Sequence, residues 1–373
     1  MDTRTFLVPD YFEDFHCKCG QCRHNCCDGW AVTFSRDDYF RLLSVPCSPE
    51  LRRKLDISLH MTNRPSPERY AQLLPNWEGH CPLQREDGLC GLQTECGEDG
   101  ISTTCRYYPR GFRTLDDNQC ACSASCEQVV ELLLARRTPL TFHWRALTLA
   151  IPVSPRVPAQ EAEHTRSLRQ DMIAMLQVRE KPMAQRLMGL YAAIGEEESG
   201  QTTCEQRWQA YHAASDVPMP APDWRKRATL LRLLIEKLFL DSASMGDYAA
   251  EVLPLLTPDG LQTSIAQLAQ DEPDTPIYLE QLMVNHVFYE GFPFSDHMER
   301  PKMGALSLTA TYAVLHGMMA LYHALHPERE QLVDVIASCF RVMEHSPFGW
   351  NAAVVLEQAG CAGEESLREL AGV

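Results

Sequence analysis

Five cysteines fall within eleven residues in the run Phe15-His16-Cys17-Lys18-Cys19-Gly20-Gln21-Cys22-Arg23-His24-Asn25-Cys26-Cys27. A hydrophobic core has no use for thiols that dense, and they stand too close together to pair freely as disulfides. Their chemistry therefore reads as metal binding. Three later pieces are suited to complete the site: Cys81 with Cys90, then Cys105, then Cys126. Spacing helps to choose the ion. Zinc ribbons bring two C-x2-C pairs on separate knuckles, but here only Cys19 and Cys22 have that spacing, and Cys26-Cys27 is vicinal. An iron-sulfur cluster is favoured, with zinc as the alternative.

The elements that must hold these thiols are short. Trp30-Ala31-Val32-Thr33-Phe34 alternates briefly and predicts a strand leading out of the first cysteine loop. Ser35 then offers a helix cap, with Tyr39, Leu42 and Leu43 on one face, and Ser48-Pro49 repeats the signal ahead of Leu51, Leu55 and Leu59. From Gly79 to Gly111 the glycines predict loops wrapped round an ion, with Leu89, Leu92 and Ile101 as an apolar shell. Glu127 to Arg137 begins with acids and ends with bases, as a helix dipole prefers.

Thirteen of the sixteen cysteines lie at or before Cys126, which sets an expected boundary: a cysteine-rich domain over 1–137 and an all-helical domain over 138–373. The later cysteines, Cys204, Cys339 and Cys361, read as packing. Beyond a connector with Pro152, Pro155 and Pro158, the second half reads as amphipathic helices. In the stretch from Asp223 to Leu240, for example, Leu230, Leu231, Leu234 and Leu238 oppose Arg225, Arg232 and Glu236. Such stripes must be buried against one another, so the fold class is mainly α: a cysteine-rich loop and helix metal-binding domain, then a helical bundle. His316 and His323 read as packing residues, Phe292-Pro293-Phe294 as a helix break that plugs the bundle, and Glu196-Glu197-Glu198 as a solvated loop.

A net charge of -16 over 373 residues argues against nucleic acid or an anionic membrane face as partner. The first ten residues contain no apolar run of signal-peptide length. The best spanning candidate, Tyr312 to Leu325, is short and broken by His316, Gly317 and His323. The expected compartment is the reducing cytoplasm, where clustered cysteines bind metal or do redox chemistry.

The series Cys17-x4-Cys22-x3-Cys26-Cys27-x2-Trp30, Cys81-Pro82-Leu83, Gly88-Leu89-Cys90, Thr104-Cys105-Arg106-Tyr107-Tyr108-Pro109-Arg110 and Ser125-Cys126 resembles the flagellin lysine-N-methylase family. Its front half is also similar to the broader zinc- or iron-chelating cysteine-cluster family. Asn285 to Phe294 looks like the methylase family's Phe-Pro-Phe segment, while Glu127 stands where the family has proline after the Ser-Cys pair. The resemblance implies a protein-lysine N-methyltransferase that moves methyl groups from S-adenosylmethionine to flagellin, with a [4Fe-4S] cluster near the reaction centre. It also implies Cys17, Cys22, Cys26, Cys27, Cys81, Cys90, Cys105 and Cys126 as the metal set.

No G-x-G-x-x-G follows a strand, so a Rossmann donor site is not expected, and the donor would sit at the iron. The order Cys19-x2-Cys22-x3-Cys26 is the reverse of the run used by radical enzymes. Methylation needs a neutral lysine amine, whose ordinary pKa is about 10.4. Tyr107, Tyr108 and Asp28 are the candidate proton acceptors, and for each tyrosine a packing role weighs at least as much. Arg106 and Arg110 are candidates for a cofactor carboxylate, and Trp30 for the sulfonium, against plainer roles in offsetting thiolate charge and shielding the site. A non-catalytic metal carrier and a thiol redox protein are the competing classes.

Overall fold

The computed structural model describes residues 2–27, 31–113, 118–149, 159–197, 202–293 and 301–373. The proline connector, Asp28, Trp30 and Phe294 lie outside the described residues. Contacts divide the chain into two units. The smaller comprises Met1–Arg4, His16–Gly111 and Leu147–Pro152; the larger comprises Thr5–Phe15, Phe112–Ala146 and Val153–Val373. The chain enters each more than once, so neither is a single stretch of sequence.

Strand β1 (Asp2–Pro9) opens the chain. In the smaller unit, β2 (Val32–Phe34) leads to α1 (Arg36–Ser44), which starts where it does because Ser35 accepts a hydrogen bond from the Asp38 amide at 3.1 Å. Helix α2 (Pro49–Ser58) starts the same way: the Ser48 hydroxyl accepts from the Leu51 amide, and Pro49 costs the first turn nothing. Strands β3 (Leu59–Met61) and β4 (Ala71–Leu73) join β2 in the order β2-β4-β3. Leu42, Leu51, Leu55 and Leu73 form the core of this unit with Leu83, Leu92 and Ile101, and Cys81, Cys90 and Cys96 pack against it.

Residues 79–111, expected to be loops, instead contain helices α3 (Gly91–Cys96) and α4 (Thr103–Tyr107). Each is about a turn long, too short for any hydrophobic period to register, and α4 is set by a cap in which Ser102 accepts from the Cys105 amide at 3.1 Å.

Strands β5 (Arg110–Arg113), β6 (Gln119–Cys122) and β7 (Phe142–Leu149) form a four-stranded sheet with β1 in the order β5-β6-β1-β7. This sheet adds strand to a region expected to be helix and loop. Leu7 pairs with Gln119 in parallel, and Phe6 and Val8 are fully buried.

The larger unit is dominated by helices: α5 (Glu127–Ala135), α6 (Ala159–Leu176), α7 (Met183–Glu197), α8 (Cys204–Ser215), α9 (Trp224–Leu238), α10 (Gly246–Val252), α11 (Pro258–Asp271), α12 (Thr275–Glu290), α13 (Pro301–Leu325), α14 (Arg329–Met343), α15 (Phe348–Gln358) and α16 (Glu364–Ala371). The chain is thus mainly α. Helix α13 is its axis, packed by α7, α9, α11, α14, α15 and α16. At 25 residues it is longer than the run expected from Tyr312 and is long and apolar enough to cross a membrane, yet 94% of its most apolar window is buried inside the protein. Apolar all round is the pattern of a central helix.

Glu197 corrects the solvated-loop expectation. It ends α7 with a buried carboxylate, 2.9 Å from His164 and 3.3 Å from Arg207. Arg207 is itself buried and also pairs with Asp171, and Glu280 is held by Arg179 and Arg186. Charges this deep are tolerated because they are paired. His316 and His323 take separate partners, the Val373 carbonyl oxygen at 2.7 Å and Asp271 at 3.1 Å.

Candidate functional site

The smaller unit brings a set of thiols together by fixing the backbone on either side of each. Cys27 accepts at its carbonyl from the Cys81 amide at 2.7 Å, and its own amide donates to the Asn25 side chain at 2.8 Å. Cys81 and Cys90 flank a hairpin in which Gln84 bridges to Cys90 and the Arg85 amide reaches Leu89 at 2.9 Å. Gly20 lies against the tip of that hairpin: a Cβ there would stand 2.9 Å from the Asp87 carbonyl oxygen and 3.2 Å from Leu89. Gly88, at φ +77°, packs back onto Gly20. Two glycines thus let the first cysteine loop approach the hairpin at backbone distance.

Cys105 is delivered by α4. Buried Asp38 on α1 accepts from the Thr103 amide at 3.0 Å and from its hydroxyl at 3.1 Å, and Arg41 donates to the Ile101 carbonyl at 2.8 Å. The Thr104 hydroxyl donates to the Thr33 carbonyl of β2 at 3.0 Å. Capped helix, strand and cysteine are therefore tied to one another.

The thiols influence one another's protons. Hydrogen bonds with Cys26 and Cys81, then burial, push the Cys27 thiol far above its ordinary range. The bond from Cys27 draws the Cys81 thiol below that range, against burial, with help from the Leu83 and Gln84 amides. Burial raises Cys90, opposed by the Gln93 and Leu92 amides, and Cys81 and Cys26 add to the rise. Burial pushes Cys105 to about 12 despite the Ser102 hydrogen bond, and Cys26, Cys90 and Cys81 again contribute. Cys105 is crowded by protein, although part of its surface meets solvent.

Cys26, Cys27, Cys81, Cys90 and Cys105 therefore form one electrostatically linked group, and Cys17 reaches it through Cys26. Burial raises the Cys17 thiol, and the Cys19 amide, donating to its sulfur at 3.3 Å, opposes that rise. Among the described residues, no three His, Cys, Asp or Glu side chains are gathered tightly enough to hold a metal ion. The five are neighbours still joined through their protons, which a metal would displace on binding. All-sulfur donors supported by amide N–H groups are the chemistry of zinc or iron-sulfur ligation.

The other sequence-predicted residues are placed as follows. Cys22 is half-buried just after the Cys19–Gln21 turn. Cys126 belongs to the larger unit, at the N-cap of α5. Tyr107, Tyr108 and Arg110 are half-buried, following directly on Cys105. The Arg106 guanidinium is engaged by the Glu98 carbonyl at 2.6 Å and by Asp99 at 3.0 Å, which makes it a brace for the α3–α4 connection. Asp28 and Trp30 fall outside the described residues.

A second polar constellation, absent from the sequence reading, is buried in the larger unit. Glu344 accepts from the Ser123 hydroxyl at 2.6 Å and the Ala124 amide at 3.0 Å through one oxygen, while the other lies 3.2 Å from His286. Ser125 meets Ser123 at 2.5 Å and His345 at 2.8 Å. Burial alone would lower His286, but the Glu344 hydrogen bond and charge outweigh it and leave its pKa raised. Burial, then the Arg341 charge, lowers His345 to about 4. Tyr11 donates to Asn285 at 2.6 Å beside the same turn, and Asn285 donates to the Cys122 carbonyl at 3.0 Å. The Ser123–Cys126 turn is thus set in a saturated polar network. Its one sequence signal was the Ser-Cys pair itself.

No curated protein matches the chain, and no solved structure does. Residues 169–353, which run from α6 into α15 and include Glu280, His286, Glu344 and His345, match the family model described as the FliB lysine N-methylase C-terminal domain. Over these residues the chain carries the C-terminal domain of the flagellin lysine N-methylase family.

Proposed function

We propose that this protein methylates lysine side chains of flagellin with S-adenosylmethionine as donor, and that it carries a [4Fe-4S] cluster on thiolates drawn from Cys26, Cys27, Cys81, Cys90 and Cys105. One observation carries the reading: a lysine N-methylase domain shares its chain with five thiols that already perturb one another. Such a cluster, when bound, supplies an iron able to chelate the amino and carboxylate groups of the donor. The reducing cytoplasm is the proposed setting, since thiols persist there.

The remaining chemistry falls to the chain. A substrate ammonium must lose its proton before its nitrogen can take a methyl group, and desolvation next to a sulfonium favours that loss. Tyr107 and Tyr108, adjacent to Cys105, are the proposed acceptors, with Asp28 beside Cys27 as a third. Arg110 is the proposed partner for the donor carboxylate and Trp30 for the sulfonium, whereas Arg106 braces the backbone that carries Cys105. Anaerobic purification with iron and sulfide analysis, followed by mass measurement of flagellin incubated with donor, tests the proposal. A brown, sulfide-containing protein that adds mass in single-methyl steps is expected. A colourless zinc protein without transfer would instead favour a metal carrier.

A further inference from the structure

Trp77 is 91% exposed, far beyond the next described tryptophan, Trp144 at 52%. Leaving an indole in water forgoes the gain from burying its apolar surface, so a turn that holds one out needs a reason. This turn is also firmly built. The Asn76 side chain accepts from the Glu78 amide at 3.0 Å and the His80 amide at 2.9 Å, while the Asn76 amide donates to the His80 carbonyl at 2.8 Å. Gly79 takes the positive φ of +86° that closing the turn requires.

Both ends of the turn are anchored. On one side the Leu74 amide donates to the Ser58 carbonyl at 3.1 Å, extending the β3–β4 pairing; on the other the Cys81 amide donates to the Cys27 carbonyl at 2.7 Å. Trp77 therefore stands four residues from a thiol of the linked group, on a turn hydrogen-bonded at both ends. Rigid, amphipathic aromatics presented in this manner serve as interface anchors, because little conformational freedom is lost when they bind.

Charge indicates the occupant. Glu78, next to the indole, is exposed. An indole next to an exposed carboxylate suits a cation on an alkyl stem, held over the ring face and drawn by the acid. A lysine side chain on a protein surface has that chemistry.

We infer that Trp77 and Glu78 form a docking point for the lysine-bearing segment of the protein substrate, beside the thiol group where the methyl group would be transferred. The inference rests on the methylase reading and names its substrate-contacting surface. It is tested in the full-length protein with two readouts: equilibrium binding of fluorescently labelled flagellin without donor, and steady-state methylation of flagellin. Trp77→Ala should weaken binding and raise KM by about ten-fold, leaving kcat within about two-fold and iron content unchanged. Trp77→Phe should recover most of the loss, and Trp144→Ala should have no effect. Equal binding by wild type and Trp77→Ala would overturn the inference while leaving the methylase reading in place. Trp77-dependent binding without any methylation would support the docking point and count against the methylase reading. A wild type that neither binds nor methylates flagellin would sink both.

Discussion

The thiol group of the smaller unit and the Glu344 network of the larger one solve the same problem, holding polar groups in fixed relation, by opposite means. The thiols are set by local devices: caps at Ser35, Ser48 and Ser102, a hairpin from Cys81 to Cys90, and two glycines in close approach. Their protons remain in competition, with Cys27 pushed up and Cys81 drawn down. Ser123, His286 and Glu344 come from distant parts of the chain and meet only because α5 packs on α12 and α14. There, both carboxylate oxygens of Glu344 are satisfied. In the first arrangement the thiols still perturb one another's protons. The second is complete as it stands.

The largest expected difference between the two regions is in metal retention. Cys81→Ser should lower bound iron and methyl transfer by about 100-fold or more, measured by metal analysis and flagellin mass. Cys361→Ser, far along the chain, should change neither. Glu344→Gln should reverse the pattern. It leaves His286 with a weakened partner in a buried site, at a cost of about 3–5 kcal/mol of stability by urea unfolding, while the protein that remains folded keeps its iron. Iron loss in folded Glu344→Gln protein would break the distinction between the regions.

The histidines of the network add a pH signature. His286 has its pKa raised, so its contribution is complete below pH 6.5 and is lost as pH climbs through the raised value. His345 is kept neutral, lowered to about 4, so its contribution is complete above 6.5 and is lost as pH falls toward 4. Unfolding free energy should therefore drop by about 3 kcal/mol over that acid range, and His345→Gln should flatten the limb. The smallest expected effect is that of Gly20→Ala, whose methyl group would crowd the Asp87 carbonyl and Leu89. It should cost about 1–3 kcal/mol and weaken iron retention, read from thermal unfolding and iron content together.

What could be read from sequence follows the same division. The capping serines of α1 and α2, the helix from Glu127 and the stripe of α9 were legible because each depends on residues a few positions apart. The concentration of thiols was legible for that reason too. Strand β6 was not: Gln119-Cys120-Ala121-Cys122 is buried on both faces and shows no alternation. Helix α8 buries Arg207 and Ser215 with Tyr211, so an apolar period is missing from its sequence. Glu197 looked solvated inside an acidic run because its partner Arg207 lies in the next helix. The Glu344 network was invisible, since no single member is unusual and the packing that joins them is non-local.

The central claim is that Cys26, Cys27, Cys81, Cys90 and Cys105 constitute one metal centre. Cysteine-by-cysteine alkylation of anaerobically purified protein, mapped by mass spectrometry before and after metal removal, tests it most directly. The account predicts metal-dependent protection confined to that group and its neighbour Cys17, lifted when the metal is stripped, with Cys47 and Cys361 labelled throughout and the buried Cys120, Cys122 and Cys339 unlabelled in both states. Labelling of all five at the rate of Cys361 in the metal-loaded protein would contradict it.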